Sequence, residues 1–241
     1  MIEGRVVAGR CQAAIFDCDG LLLDSSAAWR SAFTSAAALL GYRLSAEQDT
    51  ALLGASVATG AAKIAAWAPD SGPDIEMSDV RAALHAGLRT AVDTAPPTVL
   101  PGVLDVLSLL QGRVPAGVAS NAPADVLNRM LDSAGLSASF ESVVSADSVA
   151  EAKPAPDVYL AACAALGADP AFSVAFEDSP AGAEAARAAG MSLIVVTGDD
   201  WPGRAPLRWP EKGRPVLYVT SLSDSAVGAH VLGAALEGEP A

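Results

Sequence analysis

Residues 13–25 read AAIFDCDGLLLDS, a short apolar run that leads into two aspartates, Asp17 and Asp19. Side chains alternate along an extended strand, so these two carboxylates point to the same side. Like charges in a poorly solvated place repel each other, and a positive group must lie between them. Mg²⁺ together with a phosphate ester is the natural candidate. The alternative is a buried strand that simply ends in an aspartate-rich turn before Gly20.

Polar side chains recur at the ends of later apolar runs. They are Ser120 and Asn121 after Gly117–Ala119, Lys153 within EAKPAPD (151–157), and Glu177 and Asp178 after Val174–Phe176. Four carboxylates near one another would disfavour full ionisation unless a divalent cation compensates them. Mg²⁺ suits such a set because it prefers oxygen ligands and binds a few carboxylates, waters and a substrate phosphate. The competing explanation is ordinary helix capping by Ser120, Asn121, Asp178 or Ser179. A residue can cap a helix and also take part in catalysis.

Strand-like runs separated by helix-like stretches predict an α/β fold, a doubly wound (Rossmann-like) parallel sheet. The runs are Ala13–Phe16, Ala116–Ala119, Ser142–Ser145, Ser173–Phe176, Leu193–Val196 and Val216–Val219. Ligands of such sheets bind at the carboxyl ends of the strands. Asp17, Ser120 and the pair Glu177–Asp178 all fall at these ends. We therefore expect them to converge on one crevice.

Residues 25–96 break the strand–helix alternation. Their apolar residues recur at helical spacing, as in Val80, Leu84, Leu88 and Val92, and glycines and prolines divide the stretch into about four helices. This pattern predicts an α-helical cap domain at 25–96, inserted into an α/β phosphotransferase core formed by residues 1–24 and 97–241. Linkers around 24–27 and 94–102 would join the two.

The four motifs, in this order, resemble those of the haloacid dehalogenase-like (HAD) superfamily. The resemblance covers nearly the whole chain and is strongest to the helical-cap subgroup that contains β-phosphoglucomutase and phosphoglycolate phosphatase-like enzymes. It implies a HAD-type phosphoric monoester hydrolase. Asp17 would be the nucleophile that forms an aspartyl-phosphate, and Asp19 the general acid and then the base for water.

The same resemblance assigns the remaining site residues. Mg²⁺ would be bound by Asp17, by Asp178 and by the backbone carbonyl of Asp19. Glu177 would either bind the ion directly or contact one of its ligands. The Ser120 hydroxyl and the Asn121 backbone N–H would hold phosphate oxygens at a helix N-terminus. Lys153 would contact the phosphate and the nucleophile, although most lysines are solvated surface charges.

Departures from the family patterns reduce the number of reactions that this chain is expected to catalyse. Dehalogenases and phosphonate hydrolases lack the second aspartate, which this chain has as Asp19. Mutases of the subgroup place an arginine in the stretch that matches Leu53–Thr59, where this chain has no cation, and a histidine where it has Trp29. A phosphatase acting on a small phosphate monoester is favoured over a β-phosphoglucomutase-like sugar-phosphate mutase. The third hypothesis is a non-catalytic phospho-ligand binding protein.

Composition limits the partners. With 241 residues and 51% hydrophobic residues, the chain can bury a sizeable core. A formal net charge of −13 argues against nucleic acid and against an anionic membrane surface. The three cysteines show no metal-site spacing, and there is no signal-peptide core, so we expect a cytoplasmic protein. We expect a small phosphorylated metabolite as substrate, a monomer or weak homodimer, and a loop Asp199–Pro215 that packs over the sheet edge.

Overall fold

The computed structural model describes residues 11–70, 72–198 and 216–232, so the loop predicted at Asp199–Pro215 lies outside the described residues. The elements in chain order are β1 (Ala14–Phe16), β2 (Leu23–Asp24), α1 (Ser26–Leu39), α2 (Ala46–Ala51), α3 (Val57–Ala66), α4 (Met77–Thr94), β3 (Thr98–Val99), α5 (Val103–Leu110), β4 (Ala116–Ser120), α6 (Ala124–Ser133), β5 (Ser142–Ser145), α7 (Asp157–Ala165), β6 (Val174–Glu177), α8 (Pro180–Ala188), β7 (Ser192–Val196), β8 (Val216–Val219) and α9 (Ser225–Leu232).

A parallel sheet forms the core. Within the described residues it has six strands in the order β5–β4–β1–β6–β7–β8. Strand β1 lies in the middle, where Ile15 is paired with Gly117 of β4 and with Ala175 of β6. The predicted α/β doubly wound sheet is confirmed. Because β1 is central, the residue that follows it opens onto the middle of the crevice at the carboxyl edge of the sheet.

Alternation along the strands separates two apolar layers. Phe16 and Phe176 face one side of the sheet, and their ring centroids lie 4.3 Å apart in a stacked arrangement. Both rings belong to an apolar cluster that includes buried residues of α5, α6 and α9. Ile15 and Ala175 face the other side, against α7 and α8. Both faces of the sheet are therefore covered, as a continuous apolar strand such as β1 requires.

Helices α1 to α4 lie between β2 and β3 in the chain, and α1, α3 and α4 pack on one another. Val80, Leu84, Leu88 and Val92 form the buried stripe of α4, and the rings of Trp29 and Phe33 on α1 lie 5.4 Å apart. We propose that this bundle is the cap domain at 25–96.

The linkers to this bundle contain a feature that the sequence did not indicate. Strands β2 and β3 pair antiparallel, with Leu23 opposite Val99, and the Leu100 N–H donates to the Leu22 carbonyl over 3.0 Å. The two connections are thus tied together as a short ribbon.

Among the described residues, no helix combines the length and the apolarity that crossing a bilayer would demand.

Candidate active site

The ends of three neighbouring strands bring the predicted residues together. Asp17 follows β1, and its N–H donates to the Phe176 carbonyl over 3.0 Å. Ser120 is the last residue of β4, and Glu177 is the last residue of β6. Asp17, Ser120 and Glu177 are all buried. Chain segments more than a hundred residues apart thus deliver polar groups to one crevice.

Lys153 is the cation at the centre of this crevice. Its ammonium donates to Asp17 Oδ1 over 2.5 Å and to Glu177 Oε1 over 2.6 Å, and only 4% of the residue is exposed. A buried ammonium is stable only when it is paired, and two carboxylates pair it here. Lys153 is therefore not a solvated surface lysine, and it contacts Asp17, the residue that the resemblance gives as its neighbour.

The shared environment shifts the pKa values of this pair. Burial raises the pKa of Asp17 to about 7; the Lys153 charge opposes this rise, while Glu177 and Asp19 add to it. Burial acts to lower the pKa of Lys153, but the charges of Asp17 and Glu177 outweigh burial and raise it. Lys153 thus stays protonated, while Asp17 titrates near neutrality unless a further cation favours its ionised form.

Glu177 accepts hydrogen bonds at both of its oxygens. Oε1 accepts from Lys153 and, over 2.7 Å, from the hydroxyl of Tyr159. Oε2 accepts from the backbone N–H groups of Asp178 and Ser179 and from the Ser179 hydroxyl over 3.0–3.2 Å. These donors fix the carboxylate and aim it at Lys153. The arrangement favours a role in orienting the lysine over direct ligation of a metal.

Asp19 lies in a different set of contacts. Its Oδ1 accepts from the Ser25 hydroxyl over 2.6 Å and from the Trp29 indole N–H over 2.7 Å. Its Oδ2 accepts from the Ser120 hydroxyl over 3.0 Å. Asp19 is half-buried, and it bonds neither to Lys153 nor to Asp17 in the contacts of the described residues. Its carboxyl group is therefore available for a proton-transfer role separate from that of the nucleophile.

Asn121 holds the lysine loop in place through its side chain. Its Oδ1 accepts from the Lys153 N–H over 2.9 Å, and its Nδ2 donates to the Lys153 carbonyl over 3.3 Å. The same Nδ2 donates to the carbonyl of Gly54 over 2.9 Å. Asn121 thus fastens the backbone of the lysine loop and connects it to the loop that precedes α3.

A group of acidic residues could hold a metal ion. One carboxylate oxygen from each of Asp17, Glu177 and Asp178 can be chosen so that all lie within 4.8 Å of one another, and all three residues are buried. The donor set contains only oxygen, which fits a hard divalent cation. The Asp19 side chain is not part of this group; only its backbone carbonyl was expected to be a ligand.

The first turn of α8 lies close to the carboxylate of Glu177. Ser179 caps the helix, since its hydroxyl accepts from the Gly182 N–H over 3.1 Å, as the sequence predicted. A Cβ atom at position 182 would overlap the carboxylate of Glu177. Glycine at this position therefore allows the helix to approach Glu177 closely.

Several residues of the site were missed by sequence reasoning. Tyr159 lies fully buried in α7, with the Lys153 ammonium 4.9 Å from the centre of its ring, yet in the sequence it looks like an ordinary apolar helix position. Ser25 and Trp29 are separated from Asp19 by the turn after Gly20. Their spacing of four residues in an early helical turn is a signal that they share a helix face, but it does not reveal what that face contacts.

Comparison with known proteins gives a consistent picture. The family model described as haloacid dehalogenase-like hydrolase matches residues 11–190. Hexitol phosphatase B of Escherichia coli K12 is 36% identical over 187 residues, which cover 76% of this chain and 82% of that protein. The fructose-1-phosphate phosphatase YqaB of the same organism is 31% identical over 192 residues, which cover 78% of this chain and 97% of that protein.

A solved structure extends the likeness to the fold. The β-phosphoglucomutase of Clostridium difficile superposes with a TM-score of 0.75 over 93% of this chain and 99% of that one, at 19% sequence identity. At that identity the likeness shows the fold alone. The matched family segment contains every residue of the crevice described above, from Asp17 to Gly182. The resemblance drawn from the motifs is confirmed: the chain belongs to the haloacid dehalogenase-like hydrolase family.

Proposed function

We propose that the chain is a Mg²⁺-dependent phosphatase that hydrolyses a phosphate monoester of a sugar or sugar alcohol. The observation that carries the proposal is the buried Lys153 ammonium, which bridges the Asp17 and Glu177 carboxylates beside Asp19. The names of the curated relatives, a hexitol phosphatase and a fructose-1-phosphate phosphatase, support the reaction and suggest the substrate class.

The chemistry proceeds in two displacements at phosphorus. An Asp17 carboxylate oxygen attacks the phosphorus, and the bond to the ester oxygen breaks while Asp19 donates a proton to the departing alcohol. Asp19, now ionised, accepts a proton from water as the water oxygen attacks the aspartyl-phosphate. The acyl–phosphate P–O bond then breaks, which releases inorganic phosphate and restores Asp17.

Other residues of the crevice hold the phosphoryl group. The Ser120 hydroxyl and the Asn121 backbone N–H would bind its oxygens at the start of α6, and the Lys153 ammonium would neutralise developing charge. Asp17, Asp178 and the Asp19 carbonyl would hold Mg²⁺, which when bound favours ionised Asp17 and neutralises phosphate charge. Glu177 would orient Lys153, since both of its oxygens already accept hydrogen bonds.

Three cations of the proposed cap contact other groups, and this disfavours a mutase. Lys63 donates to the carbonyl of Ala51 over 2.6 Å, and Arg30 lies 3.7 Å from Asp49 with 68% of its side chain exposed. Arg89 lies 4.0 Å from Asp125. A bisphosphate needs cations that face the crevice, whereas these side chains are engaged elsewhere.

We also propose a cytoplasmic protein that is a monomer or a weak homodimer.

The test is a phosphate-release screen over sugar, sugar-alcohol and short-chain monophosphates, with Mg²⁺ and with EDTA, run beside a coupled assay for hexose 1- and 6-phosphate interconversion. We expect Mg²⁺-dependent release from at least one sugar or sugar-alcohol ester and loss of release in Asp17→Asn. Interconversion faster than release would establish the mutase instead. Phosphate binding without turnover by the wild-type chain would favour the non-catalytic alternative.

A further inference from the structure

One side chain of the helical bundle reaches the carboxyl group proposed as the general acid. Trp29 Nε1 donates to Asp19 Oδ1 over 2.7 Å, and the Ser25 hydroxyl donates to the same oxygen over 2.6 Å. The backbone N–H of Trp29 donates to the Ser25 carbonyl over 3.1 Å. The two donors to Asp19 Oδ1 therefore come from one turn at the start of α1.

The indole is a donor of a special kind. Its N–H donates only, it has no acceptor lone pair, and it does not titrate in the range where enzymes work. The Trp29 ring is held against the ring of Phe33, 5.4 Å away between centroids. The hydroxyls of Ser25 and Ser120 can rotate to other acceptors, whereas the direction of the indole N–H is set by the packing of the ring.

We propose that Trp29 is a positioning residue that orients the Asp19 carboxyl group for proton transfer to the leaving alcohol. This inference rests on the proposed function. When Ser120 turns to the phosphate, as proposed above, its bond to Asp19 Oδ2 is given up, and Trp29 and Ser25 keep the carboxyl group in place. Because Trp29 belongs to α1 and Asp19 to the core loop, the acid is oriented only while α1 is docked.

A positioning role for the acid predicts dependence on the leaving group. A p-nitrophenolate ion leaves without a proton, whereas a sugar alkoxide must be protonated as it departs. Loss of acid orientation therefore slows the first displacement, which kcat/KM reports, on alkyl phosphates and leaves kcat/KM on p-nitrophenyl phosphate nearly unaffected. The second displacement, in which Asp19 accepts a proton from water, is common to both esters, so its slowing lowers kcat on both alike. A general loss of structure slows both esters alike.

The experiment compares Trp29→Phe with wild type on p-nitrophenyl phosphate and on the alkyl phosphate that is hydrolysed fastest in the screen. Phenylalanine keeps a six-membered ring against Phe33 and removes the N–H together with the rest of the five-membered ring. Because hydrogen bonds to charged groups contribute about 1.5–3 kcal/mol, we expect kcat/KM on the alkyl ester to fall about 10- to 100-fold. On p-nitrophenyl phosphate we expect kcat/KM to change less than about 3-fold.

Three further variants make the result decisive. Phe33→Leu loosens the packing that directs the indole N–H without removing it, and it should lower kcat/KM on the alkyl ester selectively but by less than Trp29→Phe does. Asp19→Asn should show the full selectivity for the aryl ester in kcat/KM, and adding Trp29→Phe to Asp19→Asn should cause no further loss of kcat/KM. Equal losses of kcat/KM on both esters in Trp29→Phe, or an additional loss in the double variant, would overturn the inference.

The design separates this inference from the proposed function. If Asp19→Asn is selective for the aryl ester but Trp29→Phe behaves as wild type, the function stands and only the role of Trp29 is wrong. If wild type hydrolyses no ester, or if Asp19→Asn shows no leaving-group selectivity, the proposed acid itself is wrong. Circular dichroism and thermal unfolding of each variant identify any that fail to fold.

Discussion

At the scale of single residues, the buried charges of the crevice do not balance without a further cation. Asp17 and Glu177 carry two negative charges when ionised, and Lys153 supplies one positive charge to both. Burial raises the pKa of Asp17 to about 7; the Lys153 charge opposes this rise, and the charges of Glu177 and Asp19 add to it. Replacing Asp17 by asparagine makes the group neutral and leaves the Lys153–Glu177 pair in place.

This imbalance predicts how pH affects stability in EDTA. Between about pH 4 and pH 7, the folded chain keeps a proton on Asp17 that the unfolded chain has already lost, so wild-type stability falls as the pH rises through this range. Asp17→Asn has no such proton. We expect the variant to gain free energy of unfolding relative to wild type as the pH rises from 4 to 7, with no further gain above that range.

Urea unfolding at a series of pH values measures the difference. Asp70→Asn, at an exposed position, is the matched control, and its curve should run parallel to that of wild type. Parallel curves for Asp17→Asn and wild type would contradict the expected proton uptake. Adding Mg²⁺ near pH 8 should stabilise wild type and not Asp17→Asn, because the ion would lose one of its proposed ligands.

At the scale of elements, the first turn of α8 is shaped to fit Glu177. Gly182→Ala would place a methyl group in the space of the Glu177 carboxylate, so the helix or the carboxylate must move. Overpacking of this kind costs about 1–3 kcal/mol. Because Glu177 holds Lys153, we expect phosphatase activity to fall more than about tenfold, beyond what the loss of stability explains.

Gly87→Ala in α4 is the matched control for this prediction. A Cβ atom at position 87 would meet Ala32 at 3.5 Å, an ordinary contact, and alanine is the better helix former. We expect Gly87→Ala to be as active as wild type and equally or more stable. Thermal unfolding and phosphate release of both variants test this pair. Wild-type activity in Gly182→Ala would show that the position of Glu177 is not critical.

The elements also show why the sequence predicted one part of the site and not another. Asp17, Ser120 and Glu177 were found because apolar runs mark strands, and a parallel sheet places strand ends along one edge. The cap by Ser179 follows from local chemistry. Strands β2 and β3, of two residues each, carry no such pattern, because their pairing joins segments about 75 residues apart.

The same limit applies to the supporting side chains. Tyr159 lies on the buried face of α7, where an aromatic residue is expected for packing alone. Its bond to Glu177 depends on how α7 packs against the sheet, which no local pattern encodes. The sequence marks Trp29 as a departure from the mutase pattern, not as a partner of Asp19. Its contact with Asp19 requires the turn between Gly20 and Ser25, in which the N–H groups of Leu22 and Leu23 donate to the Cys18 carbonyl.

At the scale of the whole molecule, helix α4 of the proposed cap faces helix α6 of the core through charged side chains. Asp125 lies 2.7 Å from His85 and 4.0 Å from Arg89, and Arg129 lies 2.9 Å from Asp93. The α4 residues are spaced four apart and form one stripe, which opposes one turn of α6. Burial acts to raise the pKa of Asp125, but the His85 hydrogen bond, with the charges of His85 and Arg89, lowers it, so Asp125 stays ionised at neutral pH.

These ion pairs predict a salt-dependent contribution of cap docking to catalysis. The double substitution Asp125→Asn/Arg129→Gln removes the pairs and leaves the net charge at −13. Exposed pairs contribute about 0.2–1 kcal/mol each, so we expect kcat/KM to fall about 2- to 10-fold at low ionic strength. The ratio of wild type to variant should approach one in about 1 M NaCl, where screening weakens the pairs.

The comparison needs a control that removes an ion pair but not a contact between the bundle and the core. Arg30→Gln/Asp49→Asn does this, since both residues lie in the helical bundle, 3.7 Å apart, and the substitution also leaves the net charge unchanged. Steady-state kinetics at low and high salt should show a ratio near one for this control at both. If both double variants lose the same activity, the α4–α6 pairs have no particular role, and docking of the cap depends on the apolar contacts and on the bond from Asn121 to Gly54.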